Sequence, residues 1–388
     1  MLKTILFVSH ASGFVGSEKF LYDIVTHIDR TQYRILVCCP NWGSQILVNK
    51  LEEFQNIKLY KLNYKSAISA SKNIFRRIAN AVLNLVWGVI FAFIIKKEKV
   101  NIVFSNTSWV CVGAIGAKLL QVPHVWLVHE NLDSNIRRFI FGTEFYKKFI
   151  GWLSYRVMFN SQWTLDQYAH YLAEVSTGII YNGFEFINKG VFGGDCKKTT
   201  FNVTNDLVLG IVGSINSNKG QLKAIRTMNL LRHRLPKCKL IIFGKLNNDE
   251  YGNKLREYVK HNNLSEYVVF KGFMDNIQDI YPRIDILLVP SEIEPFGRVV
   301  VEGIYYGCIV IAANTGGISG IIQHNVNGVL LNELSPEVIA ENVVSVVNNK
   351  ALVMKIKHNS YQSIKKYSLE NTINDLRVLF EEILTRHK

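Results

Sequence analysis

Short apolar runs alternate with amphipathic stretches of helical period from one end of this chain to the other. No other feature limits the fold so tightly, because that alternation is the pattern of parallel strands joined by crossover helices. The runs predict strands at 4–9, 34–39, 57–62, 102–105, 124–129, 156–159 and 178–180, then at 208–212, 239–244, 268–270, 286–290, 309–312 and 328–331. Between the two groups, residues 187–206 (INKGVFGGDCKKTTFNVTND) are polar and Gly-bearing with no sustained period, the composition of a linker. The expectation is an α/β chain of two doubly wound, Rossmann-like domains, 1–186 and 207–365, which suits 388 residues at about 100–200 per domain. Open α/β sheets bind ligands beyond the carboxyl ends of their strands, so two such domains facing across a cleft would floor it with strand-to-helix loops.

Composition removes several classes. With 48% hydrophobic residues, 20% charged and only 7 Pro, the chain is neither disordered nor fibrous. The six Cys show no CxxC spacing and no adjacent His, which argues against a zinc site and a disulfide framework and for a reducing compartment. The first apolar run is about five residues long, too short for a secretory h-region, and reads as a buried first strand.

The net charge of +14 is unevenly placed. Between Lys58 and Lys99 stand nine Lys or Arg against one acid, Glu98, beside the longest apolar run, 82–95. That run holds 14 residues, interrupted by Asn84, short of the ~20 a membrane-spanning helix needs, so it is not expected to span. A second segment, 137–148, interleaves basic and aromatic residues. Cations flanking exposed apolar groups suit peripheral contact with an anionic membrane surface; a core helix over 74–95 with a solvated basic end is the other reading, and both stay open. Nucleic acid is not expected as a partner, because no recognisable nucleic-acid module accompanies the charge.

Chemistry-bearing residues cluster just after strands. The loop SHASGFVGSEK (9–19) carries Gly13 and Gly16 ahead of a helix, where glycine lets a backbone approach a phosphate and helix amides can meet it. His129, followed by Glu130, ends the fifth strand on the ligand side. In the second half, GIVGSINSNKG (210–220) places Lys219 just before a helix, a cation suited to a diphosphate. The segment PSEIEPFGRVVVEG (290–303) should start a helix near Gly297, so that the amides of residues 297–299 can cap an anion. Glu294 in that loop could accept hydrogen bonds from a neutral polyol, and Glu302, about a turn and a half into the helix, could reach a ribose diol. Two carboxylates near a diphosphate are costly unless hydroxyls occupy them, which favours a sugar nucleotide over a plain nucleotide.

Glu294 and Glu302 within EPFGRVVVE, preceded by GSINSNKG and followed by Gly316-Gly317, resemble the C-terminal domain of the retaining GT-B glycosyltransferases of family 4. The loop with Gly13, Gly16 and Glu18, the Val128-His129-Glu130 run, Asn160-Ser161 and Asn182-Gly183 extend the resemblance over nearly the whole chain. It implies an acceptor-binding first domain, a nucleotide-sugar-binding second domain, and a final helix, 366–388, crossing back to the first. It further implies that Glu294 binds the donor sugar and Glu302 the ribose. Lys219 and the backbone of Phe296, Gly297, Arg298 and Val299 would hold the diphosphate, His129 would line the sugar face, and Gly16 would let the first loop close. Backbone near Phe273 would read the base, and Gly13, Ser214 and Gly244 complete the donor set. His129, Glu294 and Lys219 are the expected catalytic residues. Two positions depart from the family: Ser214 stands where Arg is common, and Val15-Gly16 where two glycines are. No DxD occurs, and no metal or other cofactor is expected.

The implied activity is retaining transfer of a sugar from a nucleotide-diphosphate sugar to a saccharide, lipid-linked where the basic apolar segments meet a membrane, in cytoplasmic assembly of cell-surface polysaccharide. A degenerate scaffold subunit and a sugar-nucleotide epimerase on the same fold are the alternatives. The intact Glu294, Glu302 and Lys219 speak against the scaffold. A glycogen-type phosphorylase would need a longer chain and a cofactor lysine pattern.

Overall fold

The first strand, β1 (Lys3–Ser9), is buried at six of its seven positions, as a strand covered on both faces by crossover helices must be. The computed structural model describes residues 2–14, 16–68, 73–132, 139, 141–186, 206–274 and 276–387. From β1 the chain runs through α1 (Gly16–His27), β2 (Tyr33–Pro40), α2 (Ile46–Glu52), β3 (Ile57–Leu62), α3 (Ile74–Lys97), β4 (Ile102–Asn106), α4 (Val112–Leu119), β5 (His124–Val128), α5 (Thr143–Leu153), β6 (Arg156–Phe159), α6 (Gln162–Asp166) and β7 (Ser176–Ile179). These seven strands form one parallel sheet in the order β3-β2-β1-β4-β5-β6-β7. Right-handed crossovers send α1 and α2 to one face and α3, α4 and α5 to the other, because the strand order changes direction between β1 and β4.

A second parallel sheet, β10-β9-β8-β11-β12-β13, is built from β8 (Val208–Val212), β9 (Lys239–Phe243), β10 (Val268–Gly272), β11 (Ile286–Val289), β12 (Ile309–Ala313) and β13 (Val329–Leu331). Its helices are α7 (Gln221–Arg234), α8 (Glu250–His261), α9 (Arg298–Tyr305), α10 (Pro336–Asn348) and α11 (Lys350–Ile364). Leu209, Ile211, Ile242 and Ile311 from the strands meet Ile225, Met228, Leu255 and Val343 from the helices in its core. The last helix, α12 (Leu369–Arg386), packs Leu376, Leu379, Phe380 and Ile383 against Phe7, Phe20 and Tyr33 of the first sheet's α1 side.

The chain thus divides into two compact units, Met1–Gly183 with Leu369–Lys388, and Phe184–Ser368. The sequence-based limits, 186 and 366, differ from these by three residues each. The expected linker falls almost wholly on residues outside the described set.

Helix α3 covers the helix read over 74–95 and runs two residues further, well beyond the 14-residue apolar run. It is 24 residues long: Asn73 caps it, its side-chain oxygen accepting from the amides of Phe75 (2.9 Å) and Arg76 (3.4 Å), and Asn84 continues the helix with its side chain buried. At ~1.5 Å per residue it is about 36 Å long, and by length and composition it could cross a membrane. The length argument against spanning therefore fails. Only one face belongs to the core: Asn84, Gly88, Phe91 and Ile95 are buried, while Phe75 (77% exposed), Ile78, Val82, Leu85, Val86, Val89 and Phe93 (68%) face outward. Each outward side chain forgoes the ~1.5–3 kcal/mol that full burial of such a group supplies. The inner face is fixed by a close approach to α4, where a Cβ on Gly116 would lie 2.9 Å from the Ala92 nitrogen and the Gly88 oxygen. Gly116→Val should therefore lower stability by about 1–3 kcal/mol in urea unfolding with m unchanged; an unaltered midpoint would show that α3 does not depend on this contact.

Candidate active site

The second unit gathers three loops at the carboxyl edge of its sheet. After β8 come Gly213, Ser214 and a short 3-10 turn, Ser217–Lys219, leading through Gly220 into α7. After β11 comes the segment 290–297, leading into α9. The Lys219 ammonium donates to the Glu294 carboxylate, a contact that joins the two loops with both side chains largely shielded from water. Asn218 fastens them further. Its amide donates to the Ile293 carbonyl (2.9 Å), its side-chain oxygen accepts from the Ile293 amide (3.2 Å), and its own carbonyl accepts from the Glu292 amide (2.8 Å). Sequence reasoning missed Asn218 because its partners lie 75 residues away.

The loop after β12 supports Glu294 from behind. Gly317 donates its amide to the Glu294 carbonyl at 2.8 Å, and Thr315 donates its hydroxyl to the Ser291 carbonyl at 3.2 Å. Gly316 has φ +60°, and a Cβ there would lie 2.1 Å from the Glu294 oxygen, so only glycine lets these backbones meet. The Gly316-Gly317 pair is thus a positioning element for the Glu294 loop.

Helix α9 begins at Arg298, one residue after the expected start, with Gly297 in the left-handed region at φ 97° as its N-cap. A glycine cap contributes no side chain to the first turn, whose Val300 amide donates to the Gly297 carbonyl at 2.9 Å. Val299 lies in this turn, half-buried, and the Phe296 side chain is buried edge-on against Tyr367 (centroids 5.5 Å apart), so Phe296 offers backbone alone. Glu302 is buried: it accepts from the Tyr281 hydroxyl (2.6 Å) and from Nε of Arg298, one turn earlier (2.9 Å). Tyr281 was not foreseen, since nothing in its local sequence marks it.

Ser214 is exposed. Its hydroxyl accepts from Asn216 (3.0 Å) and its carbonyl from Gln221 (2.9 Å). Gly244, following β9, donates to the Gly272 carbonyl (2.9 Å), and the next residue, Phe273, is 62% exposed. Lys219, Glu294, Arg298 and Glu302 are thus carried on adjacent loops and one helix, with Gly244 and Phe273 on the neighbouring strand ends.

In the first unit the carboxyl edge of the sheet carries a buried polar cluster. Gly13 is half-buried in the β1–α1 loop and Gly16 opens α1. Glu18, on α1's first turn, lies 3.3 Å from Nε2 of His10. His129 follows β5, 8% exposed, with Nε2 2.8 Å from the side-chain oxygen of Asn106. The Asn106 amide nitrogen is already committed to the Ser17 carbonyl (2.8 Å), so its oxygen faces the imidazole and the proton sits on Nε2. Phe20 stands edge-on to the ring at 5.5 Å, and Asn160 donates to the His129 carbonyl at 3.4 Å.

Burial pushes His129 down to about 3, with His10 adding to the shift and Asn182 opposing it; burial alone does the same to His124. Glu130 moves the other way. Loss of water raises its carboxyl to about 7 despite hydrogen bonds from the Ser108 hydroxyl (2.9 Å), the Ser108 amide (3.2 Å) and the His129 amide (3.3 Å). Between about 3 and 6.5 the unfolded chain takes up histidine protons that the folded chain refuses, so these two groups make stability fall as pH falls. Glu130 stays protonated in the folded chain where the unfolded chain has ionised, so its contribution is lost as pH rises from 4.5 through about 7. The melting temperature of Glu130→Gln relative to the parent should therefore rise between about pH 5 and pH 8; a constant offset would show that Glu130 does not titrate in this way.

Among the described residues, no group of three or more His, Cys, Asp or Glu is arranged to hold a metal ion. The five described cysteines, Cys38, Cys39, Cys111, Cys238 and Cys308, are unpaired and buried.

Two doubly wound parallel units, the second with its charged residues on strand-to-helix loops, define the GT-B class of glycosyltransferases. The chain belongs to family 4 of that class: the model for glycosyl transferases group 1 matches residues 196–363, and that for glycosyltransferase family 4 matches residues 14–186. An uncharacterised glycosyltransferase of Methanocaldococcus jannaschii is 28% identical over 298 residues, 75% of this chain and 78% of that protein. The crystal structure of Anabaena HepE in complex with UDP-glucose superposes with a TM-score of 0.75 at 20% identity, over 98% of this chain and 99% of that one. The apo lipopolysaccharide outer core galactosyltransferase WaaB does so with a TM-score of 0.69 at 15% identity, over 98% and 99%. At these identities the two structures bear on the fold.

Proposed function

We propose that this glycosyltransferase moves a sugar from a nucleoside-diphosphate sugar to a lipid-linked saccharide, with retention at the anomeric carbon, during assembly of a cell-surface polysaccharide at the inner face of the cytoplasmic membrane. The observation that carries the reading is the Lys219–Glu294 contact beside the start of α9. A cation and a carboxylate held together in this way are a pair that a sugar diphosphate can exchange. Its phosphate oxygens take the ammonium and the first-turn amides of α9, and its sugar hydroxyls donate to the released carboxylate. Glu302 is assigned the ribose, His129 the sugar face and the first unit the acceptor. The HepE complex with UDP-glucose supports a donor of this class, and unpaired buried cysteines suit a reducing compartment.

In the proposed step the bond from the anomeric carbon to the phosphate oxygen breaks and the acceptor oxygen bonds that carbon on the same face. The acceptor proton passes to the departing phosphate oxygen. Lys219 and the α9 amides meet the charge that develops on the diphosphate, and no metal or other cofactor is assigned a part.

Glu294→Ala should abolish sugar transfer to membrane extracts while leaving the unfolding transition in place, and Lys219→Ala should cost about 10²–10³-fold in kcat. UDP, GDP, ADP and dTDP, tested in turn, should include one that raises the melting temperature of the parent by mass action. Full transfer by the Glu294 variant, or a product of inverted anomeric configuration by NMR, would overturn the assignment.

A further inference from the structure

We propose that the outer surface of α3, α4 and α5 is a monotopic membrane-docking face, on which α3 lies in the plane of an anionic lipid surface and does not cross it. The outward residues of α3 include Phe75, Ile78, Val82, Leu85, Val89 and Phe93. At 3.6 residues per turn they fall within an arc of about 80° and extend for ~27 Å along the helix. The opposite side, Asn84, Gly88, Phe91 and Ile95, is buried, and the Gly88–Gly116 approach locks it to α4. Crossing the bilayer would require α3 to leave that contact and uncover Leu6, Val8 and Ala117, which share its core. Lying in the interface requires no movement.

The apolar surface continues onto α5, which reaches α3 through α4. Phe141, Phe145, Phe149 and Trp152 form a row of neighbouring rings, 5.1, 6.4 and 5.9 Å between successive centroids. Phe141 and Trp152 are 72% and 62% exposed. Rings of this kind favour the headgroup level of a membrane.

Charge decides the occupant. The three helices carry seven Lys or Arg, of which Lys147 is buried, and one acid, Glu144. Arg76 stands at one end of the α3 stripe, and Lys96 and Lys97 at the other, all exposed. Lys118 lies over the Trp152 ring at 5.1 Å, and Lys148 is exposed on α5. The nearest acid to the α3 terminus, Glu98, is turned inward and bound by Arg34, Lys58 and Tyr60. Apolar side chains ringed by cations match anionic lipid, which supplies acyl chains for the first and phosphates for the second. The inference deepens the proposed function by naming the surface that meets the membrane carrying the acceptor, and rests on that reading for its purpose alone.

The test is sedimentation of the full chain with vesicles of phosphatidylcholine, with and without phosphatidylglycerol. The parent should pellet with the anionic vesicles and far less with the neutral ones. Phe75→Ser/Phe93→Ser and Arg76→Ser/Lys96→Ser/Lys97→Ser should each weaken that binding by about tenfold to a hundredfold. All of these side chains are exposed, so the variants should keep the parent's melting temperature and any nucleotide-induced shift, which separates failure here from failure of the donor assignment. Equal binding by the parent and both variants would overturn the proposal. So would a vesicle-free dimer that Phe93→Ser converts to a monomer, which would make the face a contact between copies. Resistance of the membrane-bound chain to alkaline carbonate would overturn the in-plane arrangement.

Discussion

Both sheets are parallel throughout, and that constraint sets everything else. A parallel strand cannot be reached by a tight turn, so each return to the sheet uses a crossover, and every strand-to-helix loop emerges at the same edge. In the second unit this places the loops after β8, β11 and β12 side by side, although Asn218 in the first and Ile293 in the second are 75 residues apart. The Lys219–Glu294 contact, the Asn218 clasp and the Gly316 approach are consequences of that arrangement. In the first unit the same edge brings His129, Asn106 and Glu18 into one buried cluster.

Burial then determines what the edge residues can do. His129 and Glu130 are adjacent, yet loss of water moves their titrations in opposite directions, keeping the imidazole neutral and the carboxyl protonated to higher pH. A neutral His129 whose Nε2–H is held by Asn106 is a hydrogen-bonding group at neutral pH, not a cation. In the second unit the two cations at the matching edge, Lys219 and Arg298, are each paired with a carboxylate, Glu294 and Glu302.

Much of the fold was legible because parallel strands are apolar on both faces. All thirteen predicted strands have counterparts, and the poorest match is β7, whose Ser176 and Thr177 at the sheet edge are exposed and carry no apolar signal. The apolar run 82–95 is shorter than α3 because the Arg76-Arg77 pair limits the run without interrupting the helix, whereas the helix read over 74–95 ends within two residues of the observed one. At the edge of the second sheet, residue type and spacing singled out Lys219 and Glu294, which the structure brings into contact, and Glu302 on α9. Asn218, Tyr281 and Asn106 were not, because each acts on a partner brought near only by strand order.

The Lys219–Glu294 contact also fixes the electrostatics of this edge: two shielded charges of opposite sign satisfy one another, so neither is stripped of water alone. Under the proposed donor assignment a bare phosphate would take the ammonium and leave the carboxylate shielded and unmatched. A sugar diphosphate would bring hydroxyls for the carboxylate along with phosphates for the cation, so both halves of the pair would be satisfied after exchange. On that reading the cost of separating the pair favours a ligand that carries phosphate and hydroxyls together, and contacts to the base add to it.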